Sequence, residues 1–488
     1  MRQALVASVA AALLAGCKIG PDYHRPTVDV PQAYQHALPQ AAATANIVWW
    51  MQFDDPVLNQ LVADGLAHNK SIKIAAANVE QASAVLTSTQ SPLFPQLNYQ
   101  AGAGRFRFSQ SGTTALPSNL SNPTNAYQVL AGASWELDLW GRIRRLTESA
   151  QANLLATEEA RRGVILSLTA SVASDYLSLR GFDEQLAMAE RTLGTYKESL
   201  RLMELKFQYG RASEMNVDQA RGRYETAAAQ IPVLKTNIAV LENALAILLG
   251  RNPGSIPRGK SIFELALPTI PAGVPSELLE RRPDLLQSEQ QLVAANAQIG
   301  AAKAQFFPTI SLTGATGYAS TDLNNLFTGP TRVWNYGGGI AGPIFSGGLV
   351  YGQFKQAKAA QKAALLGYEA AIQSAFADVD DTLVSEQELS EQVEAQERLV
   401  VALRGYSELS QHLYDGGREP YSTVLQAEEA LFPAELNWAA ARANLCIAFV
   451  NIYKAMGGGW VNDAEKLTAT APTNTPQSSG AQTSTAER

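Results

Sequence analysis

From Ile165 onward, apolar residues recur at alternating steps of three and four. The series is Ile165, Leu168, Val172, Leu179, Phe182, Leu186, Ala189, Leu193, Tyr196, Leu200, Met203 and Phe207, with Asp175 as its one polar break. A second series mirrors it: Val217, Ala220, Tyr224, Ala227, Ile231, Leu234, Ile238, Leu241, Leu245 and Leu248. Spacing near 3.5 over so many turns predicts a supercoiled seam. The stretch Tyr209-Gly210-Arg211-Ala212-Ser213 between them reads as a tight turn. Residues 141–249 are therefore predicted to form two long antiparallel helices. A helix of about 65 residues spans roughly 100 Å at 1.5 Å per residue, too long for a compact globular domain. The pattern leaves two options: a soluble coiled-coil rod, or one part of a larger wall. Asp175 reads as a register position, satisfied by a partner or turned to a lumen.

A different period precedes the hairpin. In residues 126–138, Tyr127, Val129, Ala131, Ala133, Trp135 and Leu137 share one face. Gln128, Gly132, Ser134, Glu136 and Asp138 share the other, with Leu130 the exception. One apolar face over about ten residues, with aromatics near both ends, suits a strand of an outer-membrane barrel. A half-buried soluble strand gives the same pattern. Residues 96–108 alternate less cleanly, and the Ser, Thr, Asn and Pro of residues 109–125 mark an exposed loop. Before them a helix is predicted from Pro56 to about Ser91, capped by Asp54 or Asp55, with a break near Asn69.

The order then repeats. Phe306-Phe307-Pro308 echoes Leu93-Phe94-Pro95. Strands are predicted over residues 308–319, with Ile310, Leu312 and Tyr318 on one face, and over 332–345, marked by Trp334, Tyr336, Ile340 and Ile344. Residues 320–332 form a second exposed loop. A second long hairpin covers residues 349–456 and turns at Tyr414-Asp415-Gly416-Gly417-Arg418-Glu419-Pro420. Its descending seam is Val424, Ala427, Leu431, Ala434, Trp438, Ala441, Leu445, Ala448 and Ile452. Pro232 and Pro433 lie inside descending arms, where local kinks are expected. The organisation is thus a segment 1–16, an extended arm 17–55, a first repeat 56–275, a second repeat 276–460 and a disordered tail 461–488. Each repeat supplies two strands, and four strands cannot close a barrel. Lipid penalises open edges, so several copies are required, and three would give twelve strands.

Composition narrows the class. The chain has 488 residues, 46% hydrophobic and 17% charged, with a net charge of −7, which argues against a nucleic-acid binder. Past the N-terminus no uninterrupted apolar run of about twenty residues occurs, so no transmembrane helix is expected. Residues 1–16 read as an export signal: Arg2, an apolar run from Ala4 to Leu14, then small residues. Leu14-Ala15-Gly16-Cys17 resembles a bacterial lipobox, which implies cleavage before Cys17 and lipid attachment there. Lys18 in place of Asp implies sorting to the outer membrane. Cys446, within a helical apolar pattern, reads as a small core residue. His24, His36, His68 and His412 stand in no metal-ligand spacing, and no catalytic motif is present, so neither an enzyme nor a metal or cofactor beyond the lipid is expected.

The order of these segments resembles the TolC-like outer membrane factors of Gram-negative efflux pumps and type I secretion systems. More closely it is similar to the lipoprotein branch serving resistance-nodulation-division pumps, the NodT type. The carrying residues are Leu14-Ala15-Gly16-Cys17, Gly20-Pro21-Asp22-Tyr23-His24-Arg25-Pro26, the Phe-Pro pairs, Arg281-Arg282-Pro283-Asp284 and the two turns. The resemblance covers all but the tail. It implies a mainly α protein with a membrane β-barrel part: a homotrimer with a twelve-stranded barrel and a twelve-helix periplasmic α-barrel, anchored by a palmitate-type lipid on Cys17. It further implies a periplasmic adaptor and an inner-membrane pump as partners, with loops outside the cell and the helical turns at the periplasmic tip. Tyr209, Gly210, Arg211, Ser213, Gly416 and Gly417 would form the adaptor-docking turns. Asp415, Glu419, Tyr414 and Arg418 are gate candidates. Threefold carboxylates around an axis would favour cations, whereas the alternative is ordinary solvated turn charge, with Glu419 at a helix start. The implied function is passive export of small molecules delivered by the pump. Two other readings stay open: the exit duct of a type I protein-secretion system, and a lipid-anchored periplasmic scaffold without a pore.

Overall fold

The structure is a computed structural model, and it describes residues 18–28, 30–31, 34–36, 48–109, 121–270, 275–457, 461 and 464. The export signal, Cys17, most of the loop 109–125 and most of the tail lie outside the described residues. The chain divides into two compact units. One comprises Met1–Asp29, Ala76–Ala160 and Asp284–Ile372; the other comprises Val30–Ala75, Arg161–Pro283 and Gln373–Arg488. Each unit draws chain from both sequence repeats.

The first unit holds a four-stranded antiparallel sheet in the order β1 (Gln96–Phe106), β2 (Thr124–Leu137), β3 (Thr309–Ser320) and β4 (Arg332–Ala341). The central β2–β3 pairing joins the two repeats. Register fixes the faces, because directly paired residues point the same way. Leu97 pairs with Ala133 and Tyr99 with Ala131. Val129 pairs with Tyr318 and Trp135 with Leu312. Thr316 pairs with Trp334, and Ile310 with Ile340. Most large apolar residues of the four strands therefore fall on one face of the sheet, with Phe106, Leu130 and Val333 on the other. Opposite lie Asn98, Gln100, Gln128, Ser134, Ser311, Thr313 and Asn335, with many glycines. Leu130 falls on this polar face, between Gln100 and Gly317. The fourth strand ends earlier than its alternation predicts. Gly342-Pro343 follows Ala341, and proline has no N–H to continue a ladder. Ile344 and Phe345 beyond it are exposed.

Eight helices are described: α1 (Pro56–His68), α2 (Lys70–Gln90), α3 (Arg142–Gln208), α4 (Glu214–Leu248), α5 (Pro275–Arg281), α6 (Pro283–Ala304), α7 (Leu349–Asp415) and α8 (Tyr421–Ala455). Asp55, not Asp54, caps α1, with its Oδ1 accepting from Val57 N at 2.9 Å. Asp54 takes a left-handed φ of 54° instead. The break at Asn69 is a cap in its own right: Asn69 Oδ1 accepts from Ser71 N at 2.7 Å, and its Nδ2 donates to Leu248 O at 2.8 Å. Helices α3 and α7 are each 67 residues long, and α4 and α8 each 35. Both shorter helices continue through their prolines, Pro232 and Pro433. By length and composition α4 could cross a membrane. Its buried residues, Val217, Ala220, Ala227, Leu234 and Leu245, instead form one seam against the chain.

The core of the second unit gathers Trp49, Trp50, Phe53, Leu58, Ile165, Val172, Tyr176, Leu245 and Tyr453. Trp49 stacks on Tyr453 with ring centres 5.6 Å apart. Tyr176 bonds through its hydroxyl to Asp55 Oδ2 at 2.7 Å and accepts from Gly259 N at 2.9 Å. The segment after α4 is held by side chains: Arg258 donates to Asp183 and Glu242, and Arg442 to the carbonyls of Ile262 and Leu265. Arg282 of the Arg-Arg-Pro-Asp motif donates to Asp378 Oδ2 at 2.9 Å and to Ala455 O at 3.1 Å. Pro283 then opens α6.

Candidate functional site: the strand face and the hairpin turns

On the apolar face of the sheet, Leu97 is 83% exposed, Tyr99 89%, Tyr336 81% and Ile340 73%. Trp334 and Tyr336 stack with ring centres 5.6 Å apart. A face this apolar and this open, alternating with a polar face, matches a sheet immersed in lipid on one side and water on the other. Among the described residues β1 and β4 have one strand neighbour each, so both edges of the sheet are open.

Both hairpin turns, in the second unit, use one device. In the first, Arg211 N donates to Lys206 O at 2.7 Å and Gly210 N to Phe207 O at 2.9 Å, with Gly210 at φ +70°. In the second, Arg418 N donates to Leu413 O at 2.8 Å and Gly417 N to Tyr414 O at 2.9 Å, with Gly417 at φ +69°. These pairs of bonds close a Schellman motif, in which a glycine takes the left-handed position. Gly416 adopts no such φ: it is the first residue past α7, and the left-handed position is Gly417's. Ser213 caps α4 through a bond from Asn216 N. Tyr209 is 74% exposed at the knuckle of the first turn.

The gate candidates separate on inspection. Asp415 is the last residue of α7 and is exposed, its carboxylate accepting from Gln411 Nε2 at 3.1 Å. Glu419 precedes the cap residue Pro420 and accepts from Thr423 Oγ1 at 3.2 Å. Arg418 is exposed in the turn. Tyr414 faces the first hairpin: its hydroxyl accepts from Lys206 Nζ at 2.9 Å, and its ring lies 5.2 Å from that of Tyr421.

Sequence reading missed the contact that fastens one hairpin to the other. Arg223 on α4 donates to Glu428 on α8 and to Tyr421 Oη at 3.0 Å. Ser199 Oγ and Tyr421 Oη share a hydrogen bond at 2.8 Å, and Tyr196 Oη donates to Glu428 O at 3.0 Å. Burial pushes the Glu428 carboxyl above its ordinary range, and Arg223 only partly offsets that. Apolar packing of Met203, Val217, Ala220, Val424 and Leu425 surrounds the contact. Beside it lies a cavity of about 800 Å³ whose lining includes Gln219, Arg223, Gln426 and Glu429. An arginine on a helix outside the seam positions was the one available signal, and it does not name its partner.

An amphipathic sheet open at both edges, with two 67-residue helices each folding back at a glycine turn, defines a membrane channel protein with helical extensions. The chain belongs to the outer membrane efflux protein family, which matches residues 61–251 and 274–458. It is 35% identical over 458 residues to the cation efflux system protein CusC of Escherichia coli O6:H1, covering 92% of this chain and 96% of that protein. It is 38% identical over 456 residues to the solvent efflux pump outer membrane protein SrpC of Pseudomonas putida, covering 92% and 96%. Among solved structures, the Campylobacter jejuni CmeC outer membrane channel is similar at a TM-score of 0.86 and 26% identity, over 93% of this chain and 99% of that one. The protein is an outer membrane efflux channel of the TolC-like build.

Proposed function

We propose that three copies of the chain form the exit conduit of a tripartite efflux system, carrying small molecules that an inner-membrane pump delivers through a periplasmic adaptor. The observation that carries the trimer is the four-stranded sheet with an apolar face and two open edges. In hydrocarbon, unpaired N–H and C=O groups cost several kcal/mol each, so the edges β1 and β4 must meet other copies. Three copies give twelve strands, enough for an open lumen. No chemical step is assigned to the protein, and the energy of transport comes from the pump. Cys17 carries the lipid anchor.

Asp415 and Glu419 form the selective ring at the tip. Asp415 stands at the C-terminal, negative end of α7, where a carboxylate is unfavourable by a few tenths of a kcal/mol. The Gln411 hydrogen bond offsets that by a similar amount, and threefold repetition around an axis would make Asp415 a cation-selecting group. The exposed first turn, with Tyr209, Gly210, Arg211 and Ser213, and Gly416 and Gly417 of the second offer the adaptor its docking knuckles.

The test is a native mass of the purified protein together with its conductance in planar bilayers. A mass three times that of the processed chain and stepwise single-channel currents are expected. A monomer without conductance would reduce the protein to a lipid-anchored scaffold. For the ring, Asp415→Ala combined with Glu419→Ala lowers cation preference and block by multivalent cations; unchanged selectivity leaves these residues as plain turn charges. Which inner-membrane protein co-purifies separates small-molecule efflux from protein secretion.

A further inference from the structure

Residues 18–25 of the N-terminal arm are docked on the first unit. Ile19 N donates to Trp140 O at 3.2 Å, and Asn296 Nδ2 to Pro21 O at 3.1 Å. Tyr23 Oη and Arg25 Nη2 donate to the two oxygens of Glu289, at 3.1 and 2.7 Å. Gly20 lies so close to α6 that a Cβ on it would stand 2.4 Å from Gly300 Cα, and its φ is +111°. A Cβ on Gly300 would in turn stand 2.6 Å from Ile19 O. At the centre is Arg145, whose side chain has no exposed surface. Its Nε donates to Ile19 O at 3.2 Å, and its Nη2 to Gly20 O at 3.0 Å and Asp22 Oδ1 at 2.9 Å. Its Nη1 donates to Glu148 Oε2 at 3.0 Å, and Lys18 Nζ reaches the same oxygen at 2.6 Å.

We propose that Arg145 is a positioning residue for membrane anchoring: it locks the arm at Lys18–Asp22 and so fixes where the lipid on Cys17 leaves the protein body, beside the Trp140–Gly141 junction of β2 and α3. The proposal rests on the reading of Cys17 as the lipidated residue. Its physical basis is that Arg145 bonds the arm from a wholly buried position: three of its four acceptors, Ile19 O, Gly20 O and Asp22 Oδ1, belong to the arm. Removing the guanidinium leaves those acceptors without that donor, which weakens docking. Gly141 packs against Lys18, a Cβ there falling 3.0 Å from Lys18 Cα, so the attachment residue is bonded to a residue already held at the foot of β2. Trp140, which donates its indole N–H to Pro308 O at 2.7 Å and stacks on Phe307, is the residue type that settles at a membrane–water interface. The anchor and the barrel are thereby set at one level before copies assemble.

The experiment uses the full-length lipidated protein extracted in mild detergent, where protease reaches both sides. Three quantities are measured: proteolysis of the arm (by trypsin after Lys18, by chymotrypsin after Tyr23), acylation of Cys17 by mass spectrometry, and the trimer fraction on native gels. Arg145→Gln is expected to be cleaved at least about tenfold faster than the parent, because the arm is now open much of the time. Its acylation is unchanged and its trimer fraction falls. Arg145→Lys restores only part of the protection, since an ammonium cannot reach the same fork of acceptors. A flexible Gly-Ser insert of about four residues between Cys17 and Lys18 leaves the arm docked and the lipid attached but frees the anchor. It is expected to lower the trimer fraction as Arg145→Gln does. An insert that assembles like the parent overturns the positioning role, and so does an Arg145→Gln trimer whose arm stays as resistant as the parent's. Should Arg145→Gln not fold, Glu289→Gln, which leaves Arg145 in place but frees the Tyr23 hydroxyl, must still speed chymotryptic cleavage after Tyr23; if it does not, the docked arm is refuted. Absence of acyl groups on Cys17 refutes the lipid reading alone, and Cys17→Ser must then still show a protected arm.

Discussion

Glu428 and Cys446 lie on the same helix, and burial acts on both in the same direction. The Cys446 thiol is pushed up to about 11 by desolvation, against a slight pull from Arg442. The folded protein should therefore resist thiol reagents at pH 8, with labelling appearing only on unfolding; rapid labelling of the native trimer would contradict the buried position. Glu428 is raised above its ordinary 4.5, burial being the larger cause and Arg223 opposing it. Between 4.5 and that raised value the folded state holds more protons than the unfolded chain. This group's contribution to stability accordingly falls as pH rises through that window and returns on acidification. Melting temperatures of the parent and Glu428→Gln across the window should diverge in that sense, the parent losing relative ground as pH rises. The seam residues were legible because each repeats a period. Asp175 was visible as a break, but its setting was not: it is half-buried, with burial raising its carboxyl, while Tyr176 beside it enters the core and reaches Asp55. The Arg223–Glu428 contact is 205 residues apart in sequence and follows no period, so nothing local announces it.

At the scale of elements, the strands carry the sharpest prediction. Leu312 lies on the apolar face and Thr313 on the polar one. Leu312→Lys should destabilise the inserted barrel by about 2–4 kcal/mol if it lies near mid-membrane. Thr313→Lys should fold normally and alter ion conductance instead. Urea unfolding in detergent or vesicles, with bilayer currents, separates the two, and equal destabilisation by both would mean the faces are misassigned. In the turns, Gly417→Ala places a Cβ at φ +69° and should cost about 1 kcal/mol, read as a lowered unfolding midpoint, whereas Gly416→Ala should cost less. Alternation and heptad spacing made the four strands and four long helices readable. Their ends were less so. The proline after Ala341 stops β4, and the split between α1 and α2 depends on Asn69 satisfying backbone groups on both sides.

For the whole molecule, the open edges of the sheet lead to one firm expectation: a purified protein that runs as a trimer and loses that state when an edge is blocked. A proline placed at Gly337 in β4, an edge strand, should lower the trimer fraction while leaving the monomer's helical content intact by circular dichroism. The sequence by itself determined the repeat, the kind and order of elements, the two-faced strands and the glycine turns, because each is written in local period or in a residue's own backbone preference. The tertiary structure alone decided that β2 pairs with β3 across the repeats, that each compact unit takes chain from both copies, and that a buried arginine, Arg145, bonds the N-terminal arm at Ile19, Gly20 and Asp22. Those are contacts between residues more than a hundred positions apart, selected by burial and by the need of each buried polar group for a partner. No periodicity along the chain records them.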